Sequence, residues 1–393
     1  MKKKTLEECF YQIRNGANIK QGVLDGGYPI TRIETTSDGR FNRNKMGYAG
    51  IIDLSKYESY VLEDGDLLMS HINSIQYLGR TVLYKKKDAE EKIIHGMNLL
   101  SLKANKDVIK PEYARYYFCS SSFKKQITRI AKKSVNQASF TVADLKKLVV
   151  DVPSLSEQMK IAEILDCVNE VIFTRRQELQ KLDDLVKARF VEMFGTVYNN
   201  KFGYEIKTLQ DVCEQIKDGT HQTPTYTDDS VNGYKFLSSK DVTTGKIDWT
   251  HLKHIPEKLH KELYARIAPR KGDILLAKNG TTGIAAIVDR DEVFDIYVSL
   301  ALLRPINVDP VYLWVAINSA ETKQQFDACL KGIGVPNLHL GEIKKAQVIV
   351  PPINEQKQFA AFVAQVDKSK AAIQKSLNKL QILFDSLMQE YFD

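Results

Sequence analysis

The chain has 393 residues, 43% of them hydrophobic, and a net charge of +7, which is enough to build two or three cored domains. It has no apolar run of the roughly 18 residues that a membrane span needs, and its basic N-terminus lacks the apolar stretch of a signal peptide, so no membrane partner is expected. Cys9, Cys119, Cys167, Cys213 and Cys329 are scattered and odd in number, which argues against a disulfide framework or zinc knuckle and for a reducing cytoplasm.

Residues 1–155 carry 26 Lys/Arg against 17 Asp/Glu, a surplus of +9, whereas residues 196–353 balance at 19 against 19. A polyanion partner is therefore expected for the first region on charge alone. In this region, residues 66–69, 80–84 and 99–102 are apolar runs bounded by Gly, Asn or Asp and read as strands. Residues 111 to about 133 have helical spacing and open on Pro111, a favoured first-turn residue. Lys124, Lys125, Arg129, Lys132 and Lys133 would then form a basic stripe on that helix, either a solvated face or a phosphate contact.

Val-Pro-Ser-Leu-Ser-Glu-Gln follows at 152–158 and returns as Val-Pro-Pro-Ile-Asn-Glu-Gln at 350–356. Ser156 and Asn354 suit N-caps, and Glu157 and Glu355 suit the positive end of the helix dipole. Apolar residues then follow a heptad through five repeats. In the first copy the a positions are Ile161, Val168, Arg175, Leu182 and Arg189, and the d positions are Leu165, Ile172, Leu179, Val186 and Met193. In the second copy a is Phe359, Val366, Ile373, Leu380 and Leu387, and d is Val363, Lys370, Leu377, Phe384 and Tyr391. With no internal Pro or Gly, this is a coiled-coil signal.

The duplication reaches upstream of the motif. Gln12 to Gly16 aligns with Gln215 to Gly219, Gly65-Asp66 with Gly272-Asp273, and Pro111 and Tyr113 with Pro310 and Tyr312. The expected class is α+β: two similar α/β globules at 1–155 and 203–353, separated by helices at 156–195 and 354–393. The second helix can bury its seam only along the first, so the helices should pack antiparallel as a two-helix coiled coil, giving a pseudo-twofold dumbbell. A helix of 38 residues would be about 57 Å long.

No Walker loop, G-x-G-x-x-G after a strand, H-E-x-x-H or G-x-S-x-G occurs. His251, His254 and His260 cluster without Cys or a second pair at ligand spacing, so solvated or edge positions are expected for them over metal binding. The chain reads as a binder with no catalytic residue, no metal and no cofactor of its own.

Its loops mix cationic with amide and hydroxyl side chains, the chemistry that contacts phosphates and base edges in duplex DNA. In the first globule the candidates are Arg14, Asn15, Asn18 and Lys20; Arg40, Asn42, Arg43 and Lys45; Ser70, His71, Asn73 and Gln76; and Lys132, Lys133 and Asn136. In the second they are Lys217, Asp218, Thr220, His221, Thr223 and Tyr226; Ser238 and Lys240; and Lys278, Asn279 and Thr281.

The duplicated V-P-x-x-x-E-Q element, the long heptad helix after each copy, and the Asp-Gly-Thr-His-Gln-Thr-Pro stretch at 218–224 make the chain resemble the DNA-specificity subunit of a Type I restriction–modification system over its full length. The resemblance implies two target-recognition domains, each reading half of a bipartite double-stranded DNA site, and helices that act as spacer and as docking surface. Two methyltransferase subunits would bring S-adenosylmethionine for adenine N6 methylation, and motor–nuclease subunits would bring ATP and Mg. The first globule departs from the pattern, with Asn15-Gly16-Ala17-Asn18 where the second has Asp218-Gly219-Thr220-His221. Alternatives are the recognition subunit of a fused methyltransferase–nuclease, or a coiled-coil scaffold that binds proteins.

Overall fold

A computed structural model describes residues 2–19, 26–330 and 336–393. The chain divides into two compact units, Met1–Arg176 with Lys375–Asp393, and Gln177–Gln374. Each unit includes part of both long helices, Leu155–Phe194 and Ile353–Phe392.

The first unit is built on a four-stranded antiparallel sheet in the order Phe10–Asn15, Leu99–Ala104, Leu67–Ser70, Thr81–Leu83. The two inner strands are buried throughout, the polar Ser70, Ser101 and Lys103 included, and Lys103 is held there by Glu63 at 2.8 Å and Asp66 at 3.3 Å. Lys2–Thr5 pairs antiparallel with Val149–Val152, the strand that carries the start of the repeated motif. The globule thus closes on itself where it begins, and the long helix departs from that seam. The expected helix over 111–133 is two helices and a strand: Pro111–Tyr117, Ser121–Ile130 and Lys132–Lys133. The Ser120 hydroxyl accepts from Phe123 N at 3.1 Å and starts the second helix there, a local choice that serine favours at a cap. Lys132 and Lys133 therefore leave the proposed helical stripe.

The second unit repeats this plan. Its sheet runs Cys213–Asp218, Leu300–Pro305, Ile274–Ala277, Ala285–Ile287, and Glu205–Thr208 pairs with Gln347–Val350. Matching side chains do matching work. The buried Tyr113 hydroxyl donates to Asp151 O at 3.0 Å and the buried Tyr312 hydroxyl to Ile349 O at 2.7 Å, anchoring the helix after each sheet to the strand before each long helix.

The glutamine of the repeated motif is a buried clamp. Gln158 Oε1 accepts from Lys110 N at 2.8 Å, and its Nε2 donates to Val108 O and Pro153 O at 3.0 Å each. Gln356 Oε1 accepts from Asp309 N at 2.8 Å and its Nε2 donates to Pro351 O at 2.7 Å. In both copies one amide joins the first turn of the long helix to the loop that opens the Pro111 or Pro310 helix. Such groups are buried only with partners.

In each unit the long helices run in opposite senses. In the first, Ile161 and Leu165, early in one helix, share a core with Met388, late in the other. The end of the chain packs there too, with the Phe392 ring tilted against Tyr113 at 5.2 Å. In the second, Phe190 and Phe194 meet Phe359, each at 5.5 Å, and Asp183 pairs with Lys370. Every a and d position of both heptad tracks is buried or half-buried. Lys370, the polar residue at a d position, stays in the seam because Asp183 neutralises it.

Candidate nucleic-acid interface

The sheet registers bring some of the candidate residues to one end of each globule. In the first unit Asn15 pairs with Leu100 and Ser70 with Leu99, so the loops after both strands emerge side by side. In the second unit Asp218 pairs with Ala301 and Ala277 with Leu300, which puts Asp218 and Lys278 at the same sheet end. Close backbone packing fixes these exits. A Cβ on Gly16 would lie 2.2 Å from Gly96 O, and one on Gly219 would lie 2.0 Å from Ile296 O.

The first unit adds a small sheet that joins two loops distant in sequence. Ile72–Asn73 pairs with Ala138–Ser139, which pairs with Lys132–Lys133. The turn at 134–137 is closed by Ser134 N donating to Gln137 O at 2.7 Å. Lys132, Lys133 and Asn136 are exposed on this hairpin, and Asn15, Asn18 and Gln76 are exposed beside the sheet end. Asn73 is half-buried, with Nδ2 donating to Ser70 Oγ at 3.2 Å. Together these form a basic, amide-rich surface of the kind that contacts phosphates and base edges.

Other candidates are occupied by their own protein. The Arg14 guanidinium lies 3.8 Å above the Tyr60 ring. Arg40 lies 3.8 Å above Phe173 and pairs with Glu170 at 3.1 Å, joining the globule to the long helix. Arg43 makes a two-pronged pair with Glu91 at 2.6 and 2.8 Å, which holds the Glu91 carboxyl down at about 2. Asn42 donates to Asp38 at 2.7 Å and Lys45 pairs with Asp38 at 2.8 Å. Ser70 and His71 are buried, and burial holds the His71 imidazole below its usual range. Lys20 lies outside the described residues.

In the second unit the Asp218 carboxylate accepts from Lys278 Nζ and from the His221 ring, each at 3.0 Å. Burial raises this carboxyl, but the hydrogen bond and charge of Lys278, with His221, outweigh it and hold it below the usual range. Lys278 itself is buried, whereas His221 is exposed. Thr220 is buried, and its N–H donates to Ile296 O at 3.1 Å. Lys217, Thr223, Tyr226, Lys240 and Thr281 are exposed and Asn279 is half-buried. Lys253 sits 4.0 Å over the Tyr226 ring, and the Ser238 hydroxyl donates to Asp241 at 3.0 Å.

Sequence reasoning missed Arg266. Its guanidinium donates to Asp218 O at 2.7 Å and to Gly219 O at 2.6 Å, holding the loop from a helix 47 residues away with no local signal. It also misplaced His260. Of the three clustered histidines, His260 is buried, with Nδ1 2.7 Å from Asp295 and its ring stacked 3.7 Å from Tyr234, because its helix faces the sheet. Among the described residues, no group of three His, Cys, Asp or Glu could hold a metal, and no helix is long and apolar enough to cross a membrane.

Two copies of one α/β module, each showing a different set of polar loops at the same sheet end, define a protein with paired recognition surfaces. The family described as Type I restriction modification DNA specificity domain matches residues 1–183 and again 202–381. The chain therefore belongs to that family and serves as a Type I restriction–modification specificity subunit. It is 29% identical over 412 residues to a Methanocaldococcus jannaschii protein assigned as the type I restriction enzyme MjaX specificity subunit, covering 96% of this chain and 91% of that one. It is 27% identical over 206 residues to the EcoKI specificity subunit of Escherichia coli K12, covering 52% and 43%. The fold matches the crystal structure of the Type I S subunit from M. genitalium with a TM-score of 0.58 at 15% identity, over 100% of this chain and 96% of that one.

Proposed function

We propose that each unit reads one half of a bipartite double-stranded DNA site, and that the antiparallel helices set the spacing between the halves. The helices also dock two methyltransferase subunits, which carry S-adenosylmethionine and methylate adenine N6. Motor–nuclease subunits with ATP and Mg join for cleavage. The chain performs no bond chemistry itself and works in the cytoplasm.

The observation that carries this reading is the pairing of like frames with unlike loops. The four-stranded sheets share strand order and register, yet Asn15, Asn73, Lys132 and Asn136 in one unit give way to Lys217, His221, Thr223 and Thr281 in the other. Equivalent frames offer both surfaces in equivalent ways, and different loops favour different half-sites. Methylated-adenine mapping of cells with and without this chain tests it. The expected result is a chain-dependent motif of two dissimilar halves around a fixed unspecified spacer. Methylation that ignores the chain, or a motif with a single half, would refute it.

A further inference from the structure

The buried His260–Asp295 pair has no use in the chemistry above, and the strand contact at Asp295 does not need it. Strand Phe294–Ile296 runs parallel to Tyr234–Leu237, with Asp295 opposite Phe236. The first unit repeats this contact as a single parallel bridge between Ile30 and Ile94. There the position of Asp295 is held by Ile94, fully buried among Ala17, Ile30, Ala49 and Leu54. An apolar residue therefore builds the same strand contact without the cost of burying ionisable groups.

What the pair does is join two elements that grip the same loop. His260 lies on helix Glu257–Arg266, which ends at Arg266, whose guanidinium holds the carbonyls of Asp218 and Gly219. Asp295 is followed by Ile296, whose carbonyl accepts from Thr220 N and lies against Gly219. The side chain of Asp295 is buried, and Asp295, Gly219, Thr220, Arg266 and Ile296 line one small cleft. The Nδ1 to Oδ2 contact of 2.7 Å locks the helix to the strand, and the Tyr234 ring, 3.7 Å away and within 8° of parallel, fixes the plane of the imidazole. A shift of this helix against the strand would move the loop's two backbone anchors apart.

Resting on the reading that the second unit contacts DNA through residues 218–226, we infer that His260 and Asp295 are positioning residues for the second half-site. They set base discrimination there, acting through Arg266 and Ile296. Among its described residues the first unit has neither the helix nor the pair, so its half-site is independent of them.

The test uses the methyltransferase complex assembled with this chain, and duplexes carrying the mapped site with one base pair changed in either half. In the unaltered complex each change should cost on the order of 5- to 150-fold in affinity. The double variant His260→Leu with Asp295→Ile imitates the apolar first unit and should keep its melting temperature. We expect discrimination at the second half to fall about tenfold while the first half stays within about twofold. Arg266→Met, at an exposed helix end, leaves the buried pair intact and should produce the same selective loss if the double variant does not fold. Asp295→Asn keeps an oxygen for the His260 N–H and should retain discrimination. Unchanged discrimination at the second half in Arg266→Met or in the folded double variant, or equal loss at both halves, overturns the inference. An unaltered complex that discriminates at neither half refutes the proposed function instead.

Discussion

Replacing Gln158 by Leu tests why the repeated motif ends in glutamine. Leucine is close in volume, so the change leaves little cavity and isolates the polar loss. The Lys110 N–H loses its acceptor, and the carbonyls of Val108 and Pro153 lose a donor. A buried donor stripped of its partner costs about 1–3 kcal/mol, and the carbonyls add a smaller amount each, giving about 3 kcal/mol. For a unit of this size each kcal/mol moves the midpoint by about 2–4 °C, so thermal denaturation of the full chain should show the first unit melting about 6–12 °C lower. Gln356→Leu should do the same to the second unit. A shift below about 2 °C in either would mean that the motif's glutamine is a surface feature and not a clamp.

Other expectations are as direct. Lys132→Ala with Lys133→Ala should weaken binding to all duplexes alike and reduce the slope of log affinity against log salt by about 2, read by fluorescence titration across salt concentrations; loss confined to certain sequences would assign these lysines to base contacts. Lys370→Leu should leave stability unchanged or slightly raised, since it replaces a charge in the apolar seam, and a large loss on melting would contradict this. Gly219→Ala should force the loop away from Ile296 O, which lies 2.0 Å from the added carbon, and abolish second half-site recognition in a binding assay. Burial holds His95 in its neutral form, down at about 4 against the usual 6.5. Between these values the unfolded chain takes up the proton and the folded chain does not, so stability falls as pH drops through this window, by about 3 kcal/mol in total. Denaturant melts from pH 7 to pH 4 should show that loss in the first unit, and His95→Gln should flatten it.

The frame was legible because it is periodic and written twice. The heptads at 161–193 and 359–391 mark side chains that the structure buries or half-buries at every a and d position, and the repeated Tyr113 and Tyr312 make the same hydrogen bond in each copy. The interface was less legible because loop composition carries no partner list. Arg43 reads like a DNA contact until Glu91, 48 residues on, takes both prongs of its guanidinium. Arg40 is claimed by Glu170 and Phe173, and His260 is drawn inward by Asp295, 35 residues away. Such long-range pairs follow from topology, which no local pattern encodes. The helix over 111–133 misled for a local reason: the periodicity continues through Ser120, while that hydroxyl caps a new helix.

The central claim, that the paired helices set the distance between two half-sites, is tested most directly by lengthening them. Inserting four residues after Glu178 and four after Ser376 adds about 6 Å to each helix. Methylated-adenine sequencing of cells carrying this chain should then report the same two half-sites with a spacer one or two base pairs longer. The same half-sites at their original spacing would contradict it.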